Sequence, residues 1–267
     1  MIRLLKASDV DACLSLSAEA GWNQTEADWL AAIETGRECC WGLEDGGELA
    51  GTTTVVNYSG QLAWIGMVLV RKARRRRGIA RRLMEHALSW CDEREIPTVK
   101  LDATDLGRPL YRALGFEDEQ AIERWGGAGM PGPATSGPDR RGPDFSLDRF
   151  ERDRQALLER LTDIPGAESI GIEGGFALTR DGANARFLGP LVAKDRGTAR
   201  RLVEIALAGR PSEPFFWDLL PEHPEAASLA AELGFARKRQ LMRMVRPGGA
   251  TRVDSNRLWA AAGFEYG

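Results

Sequence analysis

An internal repeat is the feature of this 267-residue sequence that most limits its fold. Residues 78–88 match residues 197–207 at eight of eleven positions, and the Leu-Gly-Phe sequence at 114–116 recurs at 233–235. Both matches are 119 residues apart, so the two segments keep one register over a domain-sized distance. Solenoid repeats have much shorter periods of roughly 20 to 50 residues. The sequence therefore predicts two copies of one domain fold, and its length suits two domains of ordinary size.

A segment rich in glycine and proline lies between the two copies. Residues 126–143 contain six Gly and four Pro among eighteen residues and almost no large apolar side chain. This composition is typical of a linker. It divides the chain into predicted domains at 1–125 and 144–267.

The composition excludes several classes of protein. Hydrophobic residues make up 43% and charged residues 28%, with a net charge of -3, which indicates a soluble globular chain without a surface coated for nucleic acid or membrane. The longest apolar run, residues 62–70, is well short of the roughly 20 residues of a membrane span. No secretory segment is evident, the four cysteines form no CxxC pair, and there are two histidines. We expect a cytoplasmic protein without a metal site.

Local patterns predict the order of elements in the first copy. The spacings Ser8 to Asp11 and Thr25 to Asp28 are typical of capping boxes, which would begin two helices. Apolar residues on both faces of the 62–70 run indicate a central strand. The other predicted elements are strands at 39–43, 48–58 and 98–103, a hairpin turn at 44–47, a helix at 78–95 and a helix ending at Gly115. We therefore predict an α/β domain with a mixed sheet covered by helices.

A strongly basic loop joins the central strand to the helix. Residues 71–82 include eight Lys or Arg among twelve. A helix N-terminus presents free N–H groups and a positive dipole, which favour a phosphate. Gly78 allows close backbone approach and Ala80 stays small, so the loop suits a diphosphate; a solvated basic helix is the plainer alternative.

Two motifs of the first copy together resemble the GNAT N-acetyltransferase superfamily. The first is the sequence Arg75 to Ala80 after a strand that ends in Val70, and the second is strand 98–104 followed by residues 107–116. The resemblance implies tandem GNAT folds, each with a mixed, mostly antiparallel sheet flanked by helices. It also implies acetyl-CoA as co-substrate and transfer of its acetyl group to an amine.

The resemblance further implies residue roles in the first copy. Tyr111 matches the family tyrosine that donates a proton to the departing thiolate, although packing between helix and sheet is the alternative. Residues 61–70 contain no carboxylate, so the general base is unassigned, and Asp102, Asp105 and Glu19 are open as proton carriers. Contacts to acetyl-CoA are expected from Val68, Leu69, Val70, Arg75, Arg76, Arg77, Gly78, Ile79, Ala80 and Arg81.

The second copy resembles the appended domain of two-domain bacterial GNAT proteins. The resemblance is carried by residues 150–154, 188–190, Asp218 and 258–267. Its strand-to-helix loop is three residues shorter than the first, and the tyrosine position holds Ala230. We therefore expect a domain that keeps the fold without catalysis.

Candidate acceptor-binding residues come from both copies. Trp22 and Asn23 lie in the loop between the first two helices, and loops often carry function. Asp153, Arg154 and Asp218 are hypothesised polar contacts, with solvated or strand-end roles equally open.

The leading functional prediction is an acetyl-CoA-dependent N-acetyltransferase that acts on a small-molecule amine or an exposed protein amine. A non-catalytic acyl-CoA binder or sensor is the alternative. Nucleic-acid binding ranks last, because the basic run lacks interleaved aromatic residues. We expect no membrane partner, and a homodimer is left open by the sequence.

Overall fold

The computed structural model describes residues 1–132, 141–148, 150, 154–246 and 256–267. The helices are α1 Val10–Ala20, α2 Glu26–Thr35, α3 Ile79–Glu93, α4 Arg108–Arg112, α5 Gln155–Thr162, α6 Arg196–Leu207 and α7 Ala226–Glu232. The strands of the first half, residues 1–128, are β1 Ile2–Leu4, β2 Cys40–Asp45, β3 Glu48–Tyr58, β4 Leu62–Val70, β5 Thr98–Ala103 and β6 Glu117–Ala128. Those of the second half, residues 141–267, are β7 Glu168–Ile172, β8 Gly175–Arg180, β9 Arg186–Ala193, β10 Pro214–Leu219, β11 Ala236–Arg246 and β12 Leu258–Ala260.

Most predicted elements of the first half are confirmed. Strands 48–58, 62–70 and 98–103 have the predicted bounds, and β4 lies between β3 and β5 as a central strand. The capping box at Thr25 is confirmed, since Thr25 accepts from the Asp28 N–H and Asp28 accepts from the Thr25 N–H. The predicted box at Ser8 is wrong, because a 3-10 turn, Ala7–Asp9, precedes α1 and Asp9 accepts from the Lys6 N–H.

The connection between the halves begins later in the chain than the sequence predicts, because β6 extends to Ala128. Residues 126–128, predicted as linker, continue β6 and pair with residues 214–216 of β10. Much of the remaining predicted linker, residues 133–140, lies outside the described residues.

All the described strands form one sheet, because the two halves exchange strands β6 and β11. The order is β1-β2-β3-β4-β5-β11-β6-β10-β9-β8-β7, with β12 beside β9. Strand β11 of the second half pairs antiparallel with β5, while β6 of the first half pairs antiparallel with β10. The exchanged strands also pair with each other. The sheet of each half is therefore completed by the other.

Two buried ion pairs fix this exchange. Arg243 of β11 donates two hydrogen bonds to Asp102 of β5, at 2.9 and 3.0 Å. Arg124 of β6 donates two to Asp218 of β10, at 2.7 and 2.6 Å. The two arginines are 119 residues apart, so they hold the same position in the repeat. Each exchanged strand thus carries one buried arginine onto a carboxylate of the opposite half.

The interior between the halves is apolar and built from both. Tyr58 and Trp64 of the first half share one core cluster with Phe176 and Leu178 of the second. Residues 258–267, the tail segment, cross this core: the Tyr58 hydroxyl donates to the Tyr266 carbonyl at 2.6 Å, and the Trp64 Nε1–H donates to the Phe264 carbonyl at 3.0 Å. The tail segment is therefore packed against the first half.

Among the described helices, none has both the length and the apolar content needed to cross a membrane.

Candidate active site

The sheet of the first half opens between β4 and β5. Their parallel pairing stops at Trp64 and Lys100, so among the described strands none pairs with the rest of β4 on that side. A register shift in the β3 pairing surrounds Met67, which has a φ of 47°, and the Thr52 hydroxyl donates to the Met67 carbonyl at 2.9 Å. The outer cleft begins at this opening and is lined by Val68, Leu69 and Val70.

The basic loop places a helix N-terminus at the outer cleft. Gly78 precedes α3 with a φ of 75°, and a Cβ added there would meet no atom within 4 Å, so the loop surface is open at this point. Across the described residues, the backbone N–H groups of 76–81 have no acceptor, and the first helical bond runs from Arg82 to Gly78. Unpaired N–H groups at a helix start favour an anion.

The arginines of the loop divide into two groups. Arg75 and Arg76 line the outer cleft, and the Arg75 Nε–H donates to the Val70 carbonyl at 3.2 Å. Arg77 is absent from the cleft walls and lies 3.7 Å from Asp45. Glu19 holds the start of the loop by accepting from Arg71 at 3.0 Å and from the Lys72 N–H at 2.9 Å. The predicted cofactor residues that line the cleft are Val68, Leu69, Val70, Arg75, Arg76, Gly78, Ile79, Ala80 and Arg81.

Tyr111 stands where the outer cleft meets a second space, the inner cavity. The side chain is 8% exposed, packs edge-on against Phe116 and lines both spaces. Its hydroxyl has no hydrogen-bond partner within the described parts of the chain. Burial raises the pKa of this hydroxyl above its usual value of 10, so the proton stays on oxygen at neutral pH. The tyrosine therefore presents a proton donor to the junction.

The inner cavity lies across the opened strands and is enclosed by both halves. Its volume is about 50 Å³, against about 910 Å³ for the outer cleft, so it suits a small group. The two spaces share the walls Trp22, Val68, Thr104, Tyr111 and Arg239. The second half contributes Arg239, Leu241, Phe264 and Glu265 to the inner cavity.

The predicted acceptor loop is divided between two positions. Trp22 lines both the outer cleft and the inner cavity. Asn23 is 7% exposed and joins the halves instead: its amide donates to the Ala185 carbonyl at 2.9 Å and accepts from the N–H groups of Asn184 and Ala185. Asn23 thereby fixes the β8–β9 turn against the first half.

Two predicted acceptor residues of the second half, Asp218 and Arg154, line neither space. Asp218 is fully buried and held by Arg124. Arg154 is 2% exposed, donates to Asp148 at 2.6 Å and donates to the Gly267 carbonyl at 3.0 Å. Asp153 lies outside the described residues. In the described positions, both side chains are occupied by contacts that join parts of the fold.

The sequence analysis did not predict three charged or aromatic residues that line the inner cavity. Arg239 arrives on the exchanged strand β11, and Phe264 and Glu265 arrive on the tail segment. The 119-residue repeat identifies β11 as the counterpart of β6, yet it does not reveal that the strands are exchanged. Long-range pairing, and no local signal, brings these residues to the first half.

Comparison with known proteins agrees with this geometry. The sequence model of the acetyltransferase (GNAT) family matches residues 9–116, and that of an acetyltransferase (GNAT) domain matches residues 145–260. The chain belongs to the GNAT acetyltransferase family. The repeat in its sequence is therefore a tandem pair of GNAT domains.

Individual relatives of this GNAT protein cover nearly its whole length. The uncharacterized N-acetyltransferase YitH of Bacillus subtilis (strain 168) is 27% identical over 250 residues, or 86% of each chain. A crystal structure from Pyrococcus horikoshii has a TM-score of 0.85 at 21% identity, covering 100% of this chain and 95% of that one. A tandem GNAT protein from the clavulanic acid biosynthesis pathway has a TM-score of 0.63 at 16% identity, covering 94% and 99%. The two structures support the tandem fold.

Membership in the GNAT family fixes the general reaction. GNAT proteins are acetyltransferases that use acetyl-CoA and act on amines of small molecules or proteins. The predicted fold, family and co-substrate are therefore confirmed.

Proposed function

We propose that this chain is an acetyl-CoA-dependent N-acetyltransferase that acetylates a primary amine of a small molecule, with Tyr111 as general acid. The observation that carries the proposal is the meeting of two spaces at Tyr111. One space runs along the start of α3 and the other crosses the opened strands. A thioester reaching the junction from one side would face an amine from the other, and such placement is a major part of catalysis.

The outer cleft fits acetyl-CoA. Unpaired N–H groups at 76–81 and the guanidinium groups of Arg75, Arg76 and Arg81 would hold the diphosphate. The open surface at Gly78 leaves room for phosphate oxygens close to the backbone. The edge of β4 that faces the outer cleft at Val68 to Val70 would hydrogen-bond the amide groups of the pantetheine arm.

Acetyl-CoA supplies an acetyl thioester, and the protein places the amine and the proton donor beside it. The amine nitrogen forms a bond to the acetyl carbon as the carbon–sulfur bond breaks, and Tyr111 donates its proton to the departing sulfur. The acetylated nitrogen loses one proton, which restores the Tyr111 hydroxyl through solvent. One amide and one thiol result, so atoms and charge balance. General acid catalysis of this kind contributes on the order of 10² to 10⁴ in rate.

We assign catalysis to the first domain, residues 1–125, and a supporting role to residues 144–267. Support comes from the position of Tyr111 and the basic loop in the first half. The second half supplies one wall of the inner cavity and the strand that completes the sheet beside β5. This division makes the second half necessary for the site although its own residues do not transfer acetyl.

The full chain, incubated with acetyl-CoA and a panel of amines, tests the proposal. Release of free thiol and the mass of the acetylated product would be measured together. We expect thiol release that depends on the amine and a matching acetylated product. Thiol release at the same slow rate with and without amine, and no acetylated product, would overturn the proposal and favour an acyl-CoA-binding protein.

A further inference from the structure

The second half contributes two oppositely charged side chains to the inner cavity. Arg239 comes from the exchanged strand β11, and Glu265 comes from the tail segment. The remaining charged wall, Asp102, is already neutralised by its two hydrogen bonds from Arg243. Arg239 and Glu265 are therefore the wall charges left for a ligand.

Arg239 is a partly buried cation without an ion pair among the described residues. The Arg239 Nε–H is buried without a hydrogen-bond partner, and the guanidinium forms no ion pair with any residue that the structure describes. The guanidinium carbon lies 5.1 Å from the ring of Phe264, which gives it one weak contact. Burial lowers the pKa of Arg239 to about 10, so the group remains charged at neutral pH. Partial desolvation of a charge without a partner is unfavourable, and a bound anion would reduce that cost.

Glu265 is a buried carboxylate with only a shared cation. It is 5% exposed, and its nearest cationic atom, Arg180 Nη2, is 3.5 Å away. Arg180 also donates to Asp28 at 3.3 Å and to the Ala262 carbonyl at 2.8 Å, so its charge is divided. Burial raises the pKa of Glu265 above its usual value. Such a carboxylate favours a ligand that brings an amino group.

Glu265 is held in the cavity wall by close backbone packing. A Cβ added to Gly66 of β4 would lie 2.9 Å from the Glu265 Cα, so the tail segment touches the opened strand at a position where only glycine fits. The Arg239 side chain lies on β11, inside the continuous sheet. Both charges are therefore carried by rigid parts of the fold.

We infer that the acceptor is a small amine that also carries an anionic group, as an amino acid does. Arg239 binds the anionic group, and Glu265 faces the amino group. This inference rests on the proposed acetyltransferase function and narrows its substrate class. Arg239 lines both the inner cavity and the outer cleft, as Trp22 and Tyr111 do, so a molecule held at Arg239 lies beside the junction of the two spaces.

Matched pairs of amines test the inference with the full chain. Leucine would be compared with 3-methylbutylamine, phenylalanine with phenethylamine, and aminoethyl phosphate with ethanolamine. A hydrogen-bonded ion pair is worth about 1.5 to 3 kcal/mol, so we expect the anionic member of at least one pair to have a kcat/KM about 10 to 100 times higher.

Variants of Arg239 separate recognition from structure. In Arg239→Gln we expect the preference for the anionic member to disappear through a higher KM for that member, with the KM of acetyl-CoA unchanged. Arg239→Lys should restore part of the preference. Lys238→Gln is the matched control, because it removes one exposed positive charge from the same strand and should keep the preference.

The outcomes distinguish the inference from the function on which it rests. Equal acetylation of neutral and anionic amines, or a preference that survives in Arg239→Gln, overturns the anionic acceptor while acetyl transfer stands. A higher acetyl-CoA KM in Arg239→Gln with amine preference intact also overturns it, since Arg239 would then serve the co-substrate. Acetylation of no amine at all is the failure of the proposed function itself.

Discussion

The two halves begin their corresponding helices in different ways, and the difference explains why one half has a site. Helix α3 follows Gly78, which has no side chain, and its first N–H groups are free. Helix α6 follows Asp195, whose carboxylate accepts from the Thr198 N–H at 2.8 Å. The second half thus places its own negative charge where the first leaves room for a phosphate. The second half keeps the helix of the repeat, and its capping carboxylate lies at the helix start that the first half leaves open.

The opening between β4 and β5 in the first half and the opening between β9 and β10 in the second half also differ, because the second is filled by the chain itself. Strand β9 pairs with β10 over only three positions, as β4 does with β5, so both halves have an opening. In the second half β12 occupies it: Leu258 and Ala260 pair with β9, and the Ala261 N–H donates to the Asp218 carbonyl at 2.8 Å. In the first half the corresponding edge of β4 faces the outer cleft. In the second half, the backbone of residues 258–261 therefore fills the opening that corresponds to the proposed pantetheine position of the first half.

The exchanged strands β6 and β11 keep the same arginine–aspartate ion pair in both halves. Breaking either ion pair should lower the stability of the protein, and we expect this to be the largest of the effects. Arg124→Ala and Arg243→Ala each leave a buried carboxylate without its partner, at a cost of about 3 to 5 kcal/mol. Urea unfolding of each variant gives the value. Arg246→Ala is the control, because its pair with Asp92 is exposed and should cost less than about 1 kcal/mol. An equal loss of unfolding free energy in Arg243→Ala and Arg246→Ala would contradict the stabilising role of the buried Arg243–Asp102 ion pair.

The second half has Ala230 at the position of Tyr111 and so has no hydroxyl there. Removing the Tyr111 hydroxyl should therefore take the proposed proton donor from the first half as well. In Tyr111→Phe we expect kcat to fall about 10²-fold with the acetyl-CoA KM unchanged. Because burial raises the pKa of Tyr111, its proton is retained as pH rises, so wild-type kcat should show no loss from this group between pH 7 and 9. Steady-state rates across that range check both statements. An unchanged kcat in the variant would remove Tyr111 from the reaction.

Introducing the capping charge of the second half into the first tests the phosphate position. Gly78→Asp and Gly78→Asn have similar side chains, and both residue types tolerate a positive φ better than most. They differ in charge, so we expect the acetyl-CoA KM of the Asp variant to be about tenfold above that of the Asn variant. Measurement at low salt limits screening. Similar KM values in the two variants would count against a diphosphate at this loop.

The converse change in the second half should have the smallest effect. Asp195→Ala removes the N-cap of α6 and is expected to cost about 1 kcal/mol of stability. The acetyl-CoA KM should stay the same, because β12 still fills the opening between β9 and β10. Thermal unfolding and titration with acetyl-CoA check the two parts. A second acetyl-CoA bound by the variant would show that Asp195 alone closes that half.

Local patterns predicted the first half well because its elements depend on nearby residues. The apolar run at 62–70 and the strand at 98–103 have the bounds read from the sequence, and the basic loop lies at the helix start where its spacing placed it. The sequence predicts residues 126–128 as linker because glycine is common in linkers, yet their pairing with β10 makes them strand. Strand pairing between residues more than eighty positions apart gives no signal in the local sequence, so this part of β6 could not be predicted.

The cavity walls from the second half could not be predicted for the same reason. The sequence predicts Asp218 and Arg154 as acceptor contacts because the second domain is expected to form a wall for the acceptor, and it leaves solvated or strand-end roles equally open. Their partners, Arg124 and Asp148, bury them instead. Arg239 and Glu265 carry no motif, and only the exchange of strands and the path of the tail segment bring them to the inner cavity.

The exchange of strands also sets an order on how the protein forms as it is made. A ribosome releases β5, which ends at Ala103, long before its neighbour β11, which begins at Ala236. During that interval β5 has an open edge, and open edges attract other chains. The wall at Phe264 and Glu265 follows later still. The first domain to be synthesised is therefore the last to be completed, and a chaperone that shields β5 should raise the yield of active protein.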